Sequence, residues 1–125
     1  MKLAVINDTH AGVRNGSDLF LDYSARFYEN TFFPYLLEYD IKKIVHLGDY
    51  FEHRKYVNFK VLNHNYKTFI SKLEEYDITM DIILGNHDTY FKNTNELNSL
   101  KEILHSYDNI NVITEPTLVT YESLD

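Results

Sequence analysis

Residues 41–49 read Ile41-Lys42-Lys43-Ile44-Val45-His46-Leu47-Gly48-Asp49. Ile44, Val45 and Leu47 make the run apolar, and the pattern predicts a strand over 41–47. Gly48 then allows a sharp exit and a close approach of backbone to a ligand. A carboxylate follows at once. Asp49 reads in one of two ways. It is half of a plain Gly-Asp turn, or it is a ligand, since a carboxylate can bridge two hard cations and a neutral side chain does so poorly.

Working outward from this strand, the chain alternates. Residues 2–7 form a first strand around Leu3-Ala4-Val5-Ile6, and the two glycines and an asparagine in 11–16 mark a loop. Phe20, Tyr23, Phe27 and Phe32 or Phe33 then recur at helical spacing, predicting a helix over 18–39 with Ser17 as N-cap and a bend at Pro34. Beyond a loop over 48–58, Leu62, Tyr66, Phe69, Ile70 and Leu73 step by three and four residues, the mark of an amphipathic helix over 58–76. A third strand is expected over 78–84. A third helix carries Leu97, Leu100, Leu104 and Tyr107 after Thr94 or Asn95, and a short fourth strand covers 110–113. Leu118, Val119 and Tyr121 suggest a fifth strand over 117–121, after a turn at Pro116. Such alternation implies an α/β fold, a mostly parallel sheet flanked by helices with right-handed crossovers. The sequence ends at Asp125 beside that last strand, whose edge calls for a further partner.

The 125 residues suffice for one core, and 44% hydrophobic with 25% charged residues is ordinary globular composition. There is no apolar run long enough for a membrane span and no signal-peptide pattern at Met1–Asp8, so a cytoplasmic location is expected. The chain has no cysteine, so disulfides and thiolate metal sites are excluded, and any metal must sit on His, Asp, Glu or Asn. A net charge of −7 argues against binding a phosphate backbone through the overall field. It suits divalent cations, which relieve the repulsion among clustered carboxylates.

Three polar clusters follow the first three strands: Asp8-Thr9-His10, the stretch Gly48-Asp49-Tyr50-Phe51-Glu52-His53-Arg54, and Gly85-Asn86-His87-Asp88. Open parallel sheets bind ligands at the carboxyl ends of their strands. Neighbouring strands are about 4.8 Å apart, so side chains at matching ends can share one centre. On an extended backbone Asp8 and His10, two apart, point to one side and suit a single ion. Asn86 offers a neutral carbonyl oxygen to a hard cation, and Asp88 can orient the imidazole of His87 toward a phosphoryl oxygen. Without a ligand, the same clusters would be a polar strand end and an Asn-rich turn. His46 in a strand and His64 and His105 in helices read as packing residues. Tyr50, Phe51, Tyr56, Tyr90 and Phe91 flank the loops, either packing there or stacking on bases. Arg54, Lys55 and Lys92 are the basic residues near the clusters, as phosphate contacts or as solvated charges.

In order and spacing, Asp8-x-His10, Gly48-Asp49 with Arg54 beyond, and Gly85-Asn86-His87-Asp88 resemble the opening motifs of calcineurin-like metallophosphoesterases. The likeness extends through Gly48–Lys55, Ile82–Asn93, Asn109–Val112 and Glu115–Thr117 toward double-strand-break repair nucleases. These are the nuclease subunits of the bacterial SbcCD type and of the recombination endonuclease of T-even phages. The resemblance spans residues 1–125 but only the N-terminal part of that family's αββα sandwich, with the C-terminal part absent.

The resemblance implies metal-dependent hydrolysis of DNA phosphodiesters with two divalent ions, Mn²⁺ or else Mg²⁺. Asp8 and His10 would hold the first ion, Asp49 would bridge both, and Asn86 would hold the second. His87, supported by Asp88, would stabilise the transition state, and His53 would be a candidate proton donor. Glu52 stands where cellular members carry a catalytic histidine, three residues past the bridging aspartate, and His53 is one later. The implied partners are DNA, an SMC-like ATPase subunit and a second copy in a homodimer, with no membrane. The family's later Gly-His and Gly-His-x-His motifs do not occur here, so the chain alone is expected to be inactive or weak. The remaining alternatives are another phosphoesterase (a phosphatase or phosphodiesterase) and an inactive interaction module.

Overall fold

The computed structural model describes residues 2–11, 17–50, 59–83, 104 and 107–121. Strand β1 (Ala4–Ile6) leads to helix α1 (Asp18–Phe27), a π-helical segment (Tyr28–Phe32) and helix α2 (Phe33–Glu38). Strand β2 (Lys43–His46) is followed by α3 (Phe59–Asn65), a second π-helical segment (Tyr66–Ile70) and α4 (Ser71–Glu75). Strands β3 (Thr79–Ile83) and β4 (Ile110–Ile113) complete a sheet in the order β1-β2-β3-β4. All three pairings are parallel, with Ala4 opposite Ile44, Lys43 opposite Thr79 and Met80 opposite Ile110.

The expected strands are present, with shorter ends. The fifth is not: residues 114–121 form no strand, and Leu118 is 93% exposed. Of the expected third helix the described residues include Leu104, which is helical and fully buried.

Each expected long helix is instead α-helix, π-turn, α-helix. In the first, the Phe33 N–H reaches back five residues to the Tyr28 carbonyl, and Pro34 sits in the opening turn of α2. Proline has no N–H, and its ring would crowd a carbonyl four residues back, so the widened turn accommodates it. In the second, the hydroxyls of Thr68 and Ser71 bond the carbonyls of His64 and Lys67, a back-bonding that bends helices. Ser17 stands at the N-cap position of α1, but its side chain makes no capping hydrogen bond.

Both helical runs end in the same way. Asp40 and Asp77 adopt φ 53° and φ 56°. The next amides, Ile41 and Ile78, return to the carbonyls of Leu36 and Leu73 at 2.8 Å. This is the left-handed helix stop that usually employs glycine. It turns each chain directly into the following strand, with Leu36, Ile41, Leu73 and Ile78 all buried.

Strand order that follows chain order, joined by right-handed crossovers, places the connecting helices on one face. On that face Ile44, Met80, Ile82, Ile110 and Val112 meet Phe32, Phe33, Leu36, Phe69, Ile70 and Leu73 in one buried cluster. Each such side chain contributes about 1.5–3 kcal/mol by leaving water. The opposite face is largely open, with Val5 and Ile83 exposed. There Asp81 is buried between Lys43 (3.2 Å), Asn111 (3.3 Å) and the Tyr121 hydroxyl, which anchors the C-terminal segment.

Candidate metal centre

Past their last strand residues, the exits of β1 and β2 continue side by side. Leu47 N–H donates to the Ile6 carbonyl at 2.9 Å. The Asp8, His10 and Ala11 amides then donate to the carbonyls of Gly48, Asp49 and Tyr50 at 3.0, 3.0 and 2.8 Å. This ladder carries the side chains of two segments 40 residues apart in sequence to one place.

Asp8, His10 and Asp49 each offer one ligand atom, and these atoms all lie within 4.8 Å of one another. His10 Nε2 is 3.9 Å from Asp8 Oδ1, and Asn7 Nδ2 donates to Asp8 Oδ2 at 2.9 Å. Two carboxylates and an imidazole this close are a hard, anionic donor set that fits a divalent cation, with open positions left for water.

The route to this convergence differs from the expected one. The three residues are not extended: φ is 53° at Asp8, 46° at His10 and 53° at Asp49. Left-handed backbone costs a non-glycine residue about 1–3 kcal/mol and persists where surrounding contacts impose it. Here the inter-loop ladder holds three such residues in one cluster. Gly48, at φ 112°, takes a left-handed conformation that favours glycine.

Beneath the cluster lies a polar layer. His46 is fully buried and its Nε2 is 3.0 Å from Thr9 Oγ1, while Gly48 N–H donates to its Nδ1 at 3.1 Å. Thr9 Oγ1 in turn donates to the Tyr50 carbonyl at 3.0 Å. Burial pushes the His46 pKa down to about 4, against the opposing pull of the Asp49 charge. Tyr50 is buried, its ring 5.2 Å from that of His46, and its hydroxyl donates to Asn65 Oδ1 at 2.6 Å. Burial foremost holds the Tyr50 phenol well above its ordinary pKa. Tyr50 is therefore a packing residue and not a stacking platform.

Asp8 also lines a groove of about 540 Å³ between the end of β1 and α1, bordered by Tyr23, Phe27 and Tyr28. Space of this size beside a carboxylate is ordinary for a small-molecule or nucleotide-sized ligand.

Of the anticipated site residues, Asp8, His10 and Asp49 stand together. Asn86, His87, Asp88 and His53 lie outside the described residues, as do Arg54, Lys55, Lys92, Phe51, Tyr56, Tyr90 and Phe91. Thr9 carried no expected role. Its only signal in the sequence is its place between two candidate ligands.

A profile of the calcineurin-like phosphoesterases matches residues 1–123. The chain belongs to this family. Family members are metal-dependent phosphoester hydrolases, and the four-stranded parallel sheet agrees with part of such a domain. The chain is also similar to exonuclease subunit 1 of Enterobacteria phage T4, 27% identical over 122 residues. That match takes in 98% of this chain and 35% of the phage protein, so the chain spans about a third of the relative's length. Among the described residues, no helix is long and apolar enough to cross a membrane.

Proposed function

We propose that this chain supplies the metal-binding front of a nuclease that hydrolyses phosphodiesters in DNA, working with two divalent ions, Mn²⁺ or Mg²⁺. The observation that carries the reading is the convergence of Asp8, His10 and Asp49 within 4.8 Å at the carboxyl ends of β1 and β2. The phage relative, named as an exonuclease subunit, favours a nucleic-acid substrate and a multi-subunit assembly. An SMC-like ATPase and a second copy of the chain are the partners this reading carries forward.

Bound divalent ions would supply an activated water and neutralise charge on the phosphoryl oxygens. The chain's own groups do the rest. Asp8 and His10 would hold one ion with a carboxylate and an imidazole nitrogen. Asp49, with two oxygens, would bridge the two ions. Asn86 would contribute a neutral oxygen to the second, and His87, supported by Asp88, would stabilise charge on the phosphoryl group. His53 is the nearest candidate in sequence for protonating the leaving oxygen. The net charge of −7 repels DNA at long range, so Arg54, Lys55 and Lys92 provide local attraction.

The second position receives only a shared carboxylate and one amide from these residues, and water competes well for such open sites. The family's further histidine motifs, which do not occur in this sequence, would supply the remaining ligands. Cleavage of linear double-stranded DNA in Mn²⁺ tests the whole reading. The 125-residue chain alone is expected to be weak or inactive. Adding the histidine-bearing segment, in cis or as a second chain, is expected to restore cleavage. Hydrolysis of phosphomonoesters without DNA cleavage in the completed protein would transfer it to the phosphatases. Full cleavage by the lone chain, abolished by Asp49→Asn, would overturn the half-site argument.

A further inference from the structure

We propose that His46, as its neutral Nε2–H tautomer, is a positioning residue that clasps the exit loops of β1 and β2 through Thr9 and Gly48, and so holds Asp8, His10 and Asp49 at ligand spacing. The inference rests on the metal-centre reading above and adds to it a residue that touches no ion.

The hydrogen bonds fix the tautomer by themselves. Nδ1 accepts the Gly48 N–H at 3.1 Å, so it carries no proton. The ring proton of the neutral imidazole therefore sits on Nε2, which donates to Thr9 Oγ1 at 3.0 Å. Thr9 has one hydroxyl proton, and it goes to the Tyr50 carbonyl at 3.0 Å. Every donor along this path meets an acceptor, and the path runs from Gly48 through His46 and Thr9 back to Tyr50. It ties the β1 exit to the β2 exit on both sides of Asp49. The low pKa of the buried ring agrees with a neutral imidazole.

The placement gives the clasp its purpose. Thr9 stands between Asp8 and His10, and Gly48 and Tyr50 flank Asp49. A shift of the Thr9 hydroxyl moves both ligands of one loop relative to the third. The three ligands have left-handed backbone, which relaxes unless it is held. A fully buried histidine at the end of a strand is costly unless satisfied, and both its nitrogens are used on these loops.

Thr9→Val removes the hydroxyl with little change of shape, and Thr9→Ser keeps it. Mn²⁺ affinity of the chain, by calorimetry, is expected to fall about tenfold in Thr9→Val and stay near the parent in Thr9→Ser. Exchange of the His10 and Ala11 amides, which belong to the inter-loop ladder, is expected to accelerate by about tenfold in Thr9→Val alone. His46→Gln is expected to match Thr9→Val, and the double variant to lose little more than either single one. Nitrogen-15 spectra of the parent are expected to show the His46 proton on Nε2. A histidine that merely fills the core would lower the melting temperature and leave both affinity and exchange unchanged. The proposal is overturned if Thr9→Val binds Mn²⁺ within twofold of the parent with unaltered exchange, or if the proton resides on Nδ1. A parent chain that binds no Mn²⁺ would instead overturn the metal-centre reading, while exchange and tautomer still decide whether the clasp exists.

Discussion

The amide of His10 donates to the carbonyl of Asp49 at 3.0 Å, so two candidate ligands from different loops are joined through the backbone as well as by side-chain proximity. The joint does not depend on the Asp49 carboxylate. Asp49→Asn is therefore expected to keep the fold and its melting temperature. Its Mn²⁺ affinity is expected to fall by tenfold or more, about 1.4 kcal/mol or above, because the amide keeps the shape and loses the charge. Calorimetry with unchanged stoichiometry and affinity would contradict this.

Asp77 occupies a left-handed helix stop at φ 56°, where its Cβ is unfavourable. Asp77→Gly relieves that contact at the smaller cost of a looser unfolded chain, for a net gain of about 0.5–1 kcal/mol. Urea unfolding should show a higher midpoint with an unchanged slope. A lower midpoint would mean that the aspartate side chain makes a contact worth more than the strain.

Asp81 is the acid-sensitive point of the open sheet face. Burial alone would raise its pKa, but the hydrogen bonds from Tyr121, Lys43 and Asn111 outweigh it and leave the pKa lowered. A carboxyl with a depressed folded-state pKa contributes stability above its unfolded pKa of about 4 and loses it as pH falls through the folded value. Asp81→Asn is expected to cost about 1–3 kcal/mol at pH 7 and less at pH 3, below the unfolded pKa. Equal costs at both pH values, from urea melts, would rule out this ionic role.

Tyr50 and Asn65 form a buried pair, 2.6 Å between hydroxyl and side-chain carbonyl. Tyr50→Phe leaves that carbonyl without the phenol and is expected to destabilise by about 1–3 kcal/mol. The change should appear in thermal unfolding, with DNA affinity of the completed protein unaltered. A selective loss of DNA binding at constant stability would reinstate Tyr50 as a contact residue.

The sequence made the strand exits legible, because apolar runs ending in Asn7-Asp8 and Gly48-Asp49 mark both strand and loop. It located the cluster of Asp8, His10 and Asp49 but reached it by strand alternation, whereas the residues are left-handed and aligned by the inter-loop ladder. Left-handed backbone at a non-glycine residue leaves only a weak local signature, an enrichment in Asp, Asn and His. The wide helical turns at Tyr28–Phe32 and Tyr66–Ile70 have no distinct sequence pattern, although Pro34 flags the first. Alternation over Leu118-Val119-Thr120-Tyr121 resembled a strand, yet the segment pairs with nothing among the described strands and instead delivers Tyr121 to Asp81. Sequence alone makes His46 a packing residue. Its partner Thr9 lies 37 residues away, a separation that no local pattern reports.

The in-order parallel sheet also governs when the centre can come into being. Its pairings join residues as far apart as Ala4 and Ile44, so closure of β1 on β2 is a slow, non-local event. Asp8 and His10 cannot meet Asp49 before it. An ion that binds only the closed arrangement would stabilise the native state over every state in which β1 is detached.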